Sequence, residues 1–413
     1  MNFPSMINVR QKLEKAPLRD PGEALTAGIE RAGLDKTLAG VRRVAVAVGS
    51  RNIDGEAGLL ALLVERLRAL GCDPFIVPAM GSHGGATAGG QSAVLDRLGI
   101  NEETVGAPVE PSMEAVSLGT TPGGAEAFAA RSALQADAIV VVNRVAPHTA
   151  YSGPVQSGVL KMLAAGLGKR DGARSLHKHG FEAAHLIGEM ADLVIAKAPA
   201  VLGVALVEDG EKKLSRVEVL RGTEFRQREP ELLEVAMSMH PRIPLESVDI
   251  LIVDEMGKDI SGIGMDPLVT GRGKRPAGDE PVKFSTGRLV VLGLTPGSGG
   301  NATGIGHADV TTRRLYDAID HEATRLNVIT SGALYRARIP VVAGNDAEAV
   351  AMALESLRER PLEEVTVVRI RNTRELGEFQ ASASLRPVLA GVPGVELAVE
   401  DSGMEFDRTG RIL

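Results

Sequence analysis

Two α/β domains with a ligand cleft between them are what this sequence predicts, on three observations. Apolar runs rich in Val, Ile and Leu alternate with amphipathic helical patterns through most of the chain, glycine-rich turns follow several of those runs, and a two-proline segment interrupts the pattern past the midpoint. A length of 413 residues is too great for one ordinary domain and suits two.

The runs that read as strands are Val41–Val48, Pro74–Pro78, Ala138–Asn143, Val201–Val207, Asp249–Val253, Leu289–Leu294, Ile339–Val342, Val365–Ile370 and Val395–Val399. Between them, helical spacing of apolar residues marks Gly55–Leu70, Phe181–Ala196, Glu224–Met239, Asp309–Leu326, Ala347–Glu359 and Leu385–Ala390. The prolines of MHPRIPLES, after one helical pattern and before the Asp249–Val253 run, place the domain break near Pro244. The domains are therefore read as 1–244 and 245–413, with Thr270–Pro281 (TGRGKRPAGDEP) a mobile polar loop.

Composition narrows the chemistry. A net charge of −7 with scattered basic residues argues against a nucleic-acid partner, as do an aromatic content of 3% and the absence of Trp for stacking bases. Cys72 is the sole cysteine, so no intrachain disulfide, thiolate zinc cluster or iron–sulfur site can form. Any metal must be held by His, by carboxylates or by something brought in with it. No apolar stretch is long enough to cross a bilayer and the first residues lack the apolar core of a secretory signal, so a cytoplasmic location is expected.

The glycine-rich turns GSRN after Val48, GSHGGAT after Pro78 and TPGSGGNATGIG after Leu294 sit at strand carboxyl ends, where open α/β sheets bind ligands. His83, among glycines in GSHGG, can serve as a general base near neutral pH, and reads equally well as an exposed turn histidine. His148, in NRVAPHTAYSG, is a second histidine past a strand, as a two-base mechanism requires; a loop histidine satisfied by backbone bonds is the other reading. Lys161 lies in the mostly apolar SGVLKMLAAGLG, where burial would lower its pKa and make it nucleophilic, unless the stem alone is buried and the amine reaches water. His177 and His179 in LHKHG offer imidazole to nickel or zinc, as alternatives to each other more than as a chelate. Arg51 suits capture of a carboxylate or phosphate.

Taken in order, Arg51 after the first strand, His83 in GSHG, His148 in APHT, Lys161 in SGVLK and His177 in LHKH resemble the lactate racemase family, whose members carry a covalently tethered nickel-pincer nucleotide. The resemblance implies nickel and a pyridinium-3-thioamide-5-thiocarboxylic acid mononucleotide tethered to Lys161, with His177 as protein ligand to the metal and His179 as the fallback. It implies His83 and His148 as paired acid–base groups and Arg51 as an anchor for substrate carboxylate or cofactor. The reaction it implies is racemisation or epimerisation of a small 2-hydroxy acid: hydride leaves Cα, a planar 2-keto acid forms, and hydride returns to the opposite face. Cofactor-maturation enzymes would be partners, and a homo-oligomer stays open.

The second domain departs from the lactate-specific pattern. DEMGKDISGIGMDP and GSGGNATGIGHADVTTRR stand where lactate racemases present a Tyr-Gln-x-x-Lys motif, which removes lactate as the default substrate. Lys258, Asp266, Arg272, Asn301 and His307 are the candidate substrate-binding replacements, and each also reads as a loop or cap residue before a helix starting near Asp309. Two readings stand beside the racemase: a zinc- or nickel-dependent hydrolase or lyase using His83, His148 and His177, and a catalytically silent homologue binding an anion at its glycine-rich turns.

Overall fold

The computed structural model describes residues 2–273, 284–357 and 360–413. Its fold is α/β, and the chain divides into two units. One runs Glu14–His240; the other joins the residues up to Leu13 to the described residues from Pro241 onward.

The Glu14–His240 unit is built on a five-stranded sheet in the spatial order Asp73–Pro78, Arg43–Val48, Ala138–Arg144, Ala200–Glu208, Leu214–Arg221. The first four strands are parallel and the last pairs antiparallel with its neighbour. Parallel central strands are covered on both faces, which explains why these runs are continuously apolar. In Arg43–Val48 the side chains divide by turn between two apolar layers, Val44, Val46 and Val48 on one face and Ala45 and Ala47 on the other. Helices Pro21–Ala32 and Glu56–Ala69 supply the first layer, helices His185–Lys197 and Phe225–Met239 the second. Each fully buried Val or Leu stabilises the fold by about 1.5–3 kcal/mol before entropy is counted.

From Arg43–Val48 the chain first adds Asp73–Pro78 on one side and later returns to add Ala138–Arg144 on the other. That reversal makes the carboxyl end of Arg43–Val48 a topological switch point, where adjacent loops diverge and leave room for a ligand. A separate hairpin, Ala115–Thr120 with Glu126–Ala130, forms its own small sheet.

The other unit holds an eight-stranded sheet ordered Val341–Ala343, Val310–Thr312, Ser285–Leu294, Ser247–Met256, Val367–Ile370, Glu378–Ser382, Met6–Gln11, Val395–Leu397. The first five strands are parallel and the rest antiparallel. Met6–Gln11 is thus an interior strand of this sheet, although the sequence reading assigned residues 1–244 to the first domain. Its Met6, Ile7 and Val9 are buried there, and a strand this short carries no local sign of which distant edge it will join. The units part at His240, just ahead of Pro244.

All nine strands read from sequence are present. The helix expected over Asp309–Leu326 is instead a strand, Val310–Thr312, followed by helices Arg313–Asp317 and His321–Thr330. Thr311 and Thr312 are fully buried with their hydroxyls bonded to Val291 O and Leu292 O at 2.8 and 2.6 Å, so β-branched residues satisfied in a sheet outweigh the helical spacing. Asp320 restarts the helix by accepting from Glu322 N and Ala323 N. Leu385–Ala390 is only a short turn of helix, Arg386–Leu389, after a 3₁₀ turn. The Ala347–Glu359 helix runs Asp346–Glu355, and Arg358 and Glu359 lie outside the described residues, as does the 274–281 part of the Thr270–Pro281 loop. Among the described residues no helix is long and apolar enough to cross a membrane.

Candidate active site

Loops at the carboxyl ends of three neighbouring parallel strands carry the candidate residues of the Glu14–His240 unit. Ser50 and Arg51 follow Arg43–Val48, His83 follows Asp73–Pro78, and His148 follows Ala138–Arg144.

The first two loops meet where Ser50 Oγ and His83 Nδ1 lie 2.5 Å apart. His83 is held from behind: Gln91 Nε2 donates to Gly81 O (2.8 Å) and His83 O (3.3 Å). Gln91 Oε1 in turn faces Lys169 Nζ, which also donates to Pro78 O. Lys169 is fully buried at a backbone φ of 55°, a region costly for a non-glycine residue, and burial lowers its amine to about 8. Gly84 and Gly90 allow the His83 loop to lie on the following helix, since a Cβ on Gly90 would fall 1.9 Å from Gly84 O.

His148 sits in a loop closed on itself. Its N–H donates to Gln156 Oε1 at 2.7 Å, and its Nδ1 accepts from Ala150 N and Tyr151 N, each at 3.0 Å. Tyr151 is the hub of the site. Its ring centroid is 5.0 Å from that of His148 and 5.1 Å from that of Phe181, whose ring is 6.2 Å from His177. Lys161 Nζ is 5.2 Å from the same Tyr151 ring. Tyr151 is 0% exposed, its hydroxyl has no hydrogen-bond partner among the described residues, and burial pushes its pKa up from the ordinary phenol value. An orphaned buried hydroxyl costs about 1–3 kcal/mol, which points to a partner arriving with a ligand.

Lys161 ends a single turn, Val159–Lys161, that widens into a π-helical turn, Met162–Gly166. Glu229, fully buried on helix Phe225–Met239, caps that turn by accepting from Leu160 N at 2.9 Å. A side chain on Gly158 would collide with this carboxylate, its Cβ falling 2.3 Å from Glu229 Cδ. Burial, opposed by the N–H groups of Leu160 and Val159, raises Glu229 to about 7. Lys161 itself is lowered to about 7, first by burial and then by the charge of Arg51. Arg51 falls to about 10, from burial and the nearby Arg144. Glu56, 4% exposed, is raised to about 8 by burial, with Arg144 opposing and Glu208 reinforcing; Arg144 and Glu208 form an ion pair.

His177 lies at the end of helix Lys169–His177 on the Phe181–Tyr151 side. His179 Nε2 is instead buried without a hydrogen-bond partner among the described residues, and its ring is 4.0 Å from where a Cβ would stand on Gly124 in the hairpin turn. Among the described residues no three His, Cys, Asp or Glu side chains converge as a set that could hold a metal ion. The hydrolase reading, which needs His83, His148 and His177 around one ion, finds no such arrangement there.

The structure therefore links Arg51, Lys161, His148 and His177 through Tyr151 and joins His83 to Ser50 nearby in the fold. Tyr151, Glu229, Lys169, Gln91 and Glu56 were not singled out from sequence. Glu229 had a readable signal, a lone carboxylate on the apolar helix face shared with Phe225, Leu232, Leu233 and Ala236.

The candidates of the other unit lie in loops after Ser247–Met256 and Ser285–Leu294 and make local bonds. Lys258 Nζ donates to Gly262 O and to Asn327 Oδ1 at 2.5 and 3.3 Å. Asp266 caps Leu268 N at 2.9 Å. Arg272 bonds Thr286 O, Gly287 O and Asp309 Oδ2. Asn301 Oδ1 accepts from Thr303 N and Oγ1. His307 packs edge-on against Tyr335 and is lowered to about 4, first by burial and then by Arg336 and Arg272.

Residues 9–185 match the lactate racemase N-terminal domain. A crystal structure of a structural-genomics protein from Thermotoga maritima is similar at a TM-score of 0.51 and 17% identity, covering 68% of this chain and 72% of that one. The lactate racemase apoprotein from Thermoanaerobacterium thermosaccharolyticum is similar at a TM-score of 0.51 and 13% identity, covering 85% of this chain and 90% of its own. At these identities the likeness is one of fold. No curated protein matches the chain. It is over residues 9–185, therefore, that the chain is similar to the lactate racemase N-terminal domain.

Proposed function

We propose that this protein racemises or epimerises a small 2-hydroxy acid, using a nickel-pincer nucleotide held by Lys161 and His177. The observation that carries the reading is the grouping of Lys161, His148 and, through Phe181, His177 around the buried Tyr151 ring.

The residues fit such a group. An amine lowered to about 7 has a substantial unprotonated fraction at neutral pH, as an amide-type tether requires. His177 stands without two further protein ligands among the described residues, so the remaining metal donors have to come with the group itself. The orphaned Tyr151 hydroxyl offers it a hydrogen bond. When bound, the group supplies a reversible acceptor for the two electrons leaving the substrate's Cα. Arg51 is suited to the substrate carboxylate. His83 and His148 handle the substrate hydroxyl, one on the strand end after Asp73–Pro78 and the other after Ala138–Arg144. The divergent second unit leaves the identity of the acid open to malate, 2-hydroxyglutarate, phenyllactate and aldonic acids as well as lactate.

The test is intact mass of protein from its native source, or co-expressed with cofactor-maturation enzymes, beside chiral analysis of that panel of acids. An adduct on Lys161 that disappears in Lys161→Ala, with scrambling at Cα of at least one acid, is expected. Unmodified protein from such a source with no turnover on any acid overturns the reading.

A further inference from the structure

Lys169 stands midway along the chain between Lys161 and His177, past the π-helical turn that follows the one and at the head of the helix that ends on the other. The stretch leading to it is pressed against its neighbours. A Cβ on Gly166 would fall 2.5 Å from Ala79 O, and one on Gly168 would fall 2.8 Å from Phe128 O, so neither position has room for a side chain. Lys169 comes next, with its backbone in the left-handed region at a φ of 55°. Glycine would relieve the strain at this position, and a lysine occupies it instead.

Neither common use of a lysine offsets that strain. The residue is 0% exposed, so the amine does not reach water. Burial alone accounts for its lowered pKa, and no carboxylate of the described residues pairs with it. What the amine reaches is the loop of His83. Nζ donates to the carbonyl of Pro78, the last residue of strand Asp73–Pro78, and lies 3.5 Å from Gln91 Oε1. An ammonium has no lone pair to offer, so it keeps Oε1 on its own side and turns the amide NH₂ of Gln91 toward the loop. There Nε2 donates to Gly81 O at 2.8 Å and to His83 O at 3.3 Å. Gly81 N completes the contact by donating to Gly166 O at 3.1 Å.

We infer that Lys169 is a positioning residue for His83: its amine orients the amide of Gln91 and, through it, fixes the His83 loop against the segment that carries Lys161 and His177. The strained backbone is kept because these bonds need an amine that glycine lacks. The inference rests on the racemase reading only for the reaction that the aligned groups serve.

Histidine ring signals in ¹H–¹⁵N spectra of the labelled full chain, free of cofactor, test the inference. Lys169→Met keeps the length of the side chain and removes the amine, and Gln91→Met interrupts the same path one step later. Each should displace the signals of His83, identified by their loss in His83→Gln, and leave those of His148 in place. The double variant should displace them no further than Lys169→Met. His83 signals at their parent positions in both single variants overturn the inference. Lys169→Gly, which relieves the backbone, should melt no lower than Lys169→Met and show the same displacement. A glycine variant with parent-like His83 signals would show that the backbone, not the amine, places the loop. In matured enzyme both Lys169 variants should keep the adduct on Lys161 and lose about 10²-fold in kcat with KM little changed. A loss confined to KM contradicts a positioning role. Because the histidine signals are read without cofactor or substrate, a protein that racemises nothing defeats the functional reading and leaves this result standing.

Discussion

Lys161 Nζ faces the ring of Tyr151 at 5.2 Å, beside a hydroxyl that nothing among the described residues satisfies. The ring face would favour the charged amine, but burial and Arg51 win and bring Lys161 to about 7. Competitive labelling with an acylating reagent, read by peptide mass spectrometry, should show Lys161 reacting with a midpoint near pH 7 while surface lysines react near 10.5. A midpoint in the surface range would mean the amine reaches water.

Arg51 contributes to that depression by its charge alone. Arg51→Gln should raise the Lys161 midpoint, whereas Arg51→Lys, which keeps a cation, should leave it close to the parent value. Equal midpoints in the parent and Arg51→Gln chains would exclude the electrostatic contribution.

Glu229 and Gly158 form a size-matched pair, a buried carboxylate in the space a methyl group would need. Gly158→Ala should destabilise by about 1–3 kcal/mol, the cost usual for overpacking. Glu229→Ala strips the partner from Leu160 N, at about 1–3 kcal/mol for a buried donor left unpaired. The double variant should lose less than the sum, because the alanine methyl enters the space the carboxylate vacates. Denaturant melts of the four chains measure this; simple additivity would show that the two sites do not share the space.

Glu56 keeps its proton to about pH 8 in the folded chain, against 4.5 for an ordinary carboxyl. Between those values the unfolded chain gives up a proton that the folded chain retains, so this group's contribution to stability is full below pH 4.5 and is lost as pH rises through 8. Glu56→Gln should therefore match the parent's melting temperature at pH 4.5 and exceed it at pH 9. A constant difference between the two proteins across that range would show that Glu56 ionises normally.

Central parallel strands were legible because burial on both faces leaves nothing but apolar residues, as in Val44–Val48. Leu214–Arg221 and Glu378–Ser382 were missed because they mix polar with apolar residues and pair antiparallel. Strand ends announced His83 and His148 through their flanking glycines and proline. Tyr151 and Lys169 gave no such sign, because a tyrosine hydroxyl left unpaired and a lysine buried at positive φ are consequences of tertiary packing.

Met6–Gln11, near the start of the chain, lies between Glu378–Ser382 and Val395–Leu397, near its end. On the ribosome this strand emerges before the Glu14–His240 unit and must wait, with both edges open, until Glu378–Ser382 and Val395–Leu397 have been made. The Glu14–His240 unit can meanwhile fold behind it, as an insertion completed before its host. Newly synthesised chains should therefore pass through a stage with one finished unit and one exposed strand. A chaperone that shields short apolar segments would act there, and removal of Met6–Gln11 would damage the unit continued from Pro241.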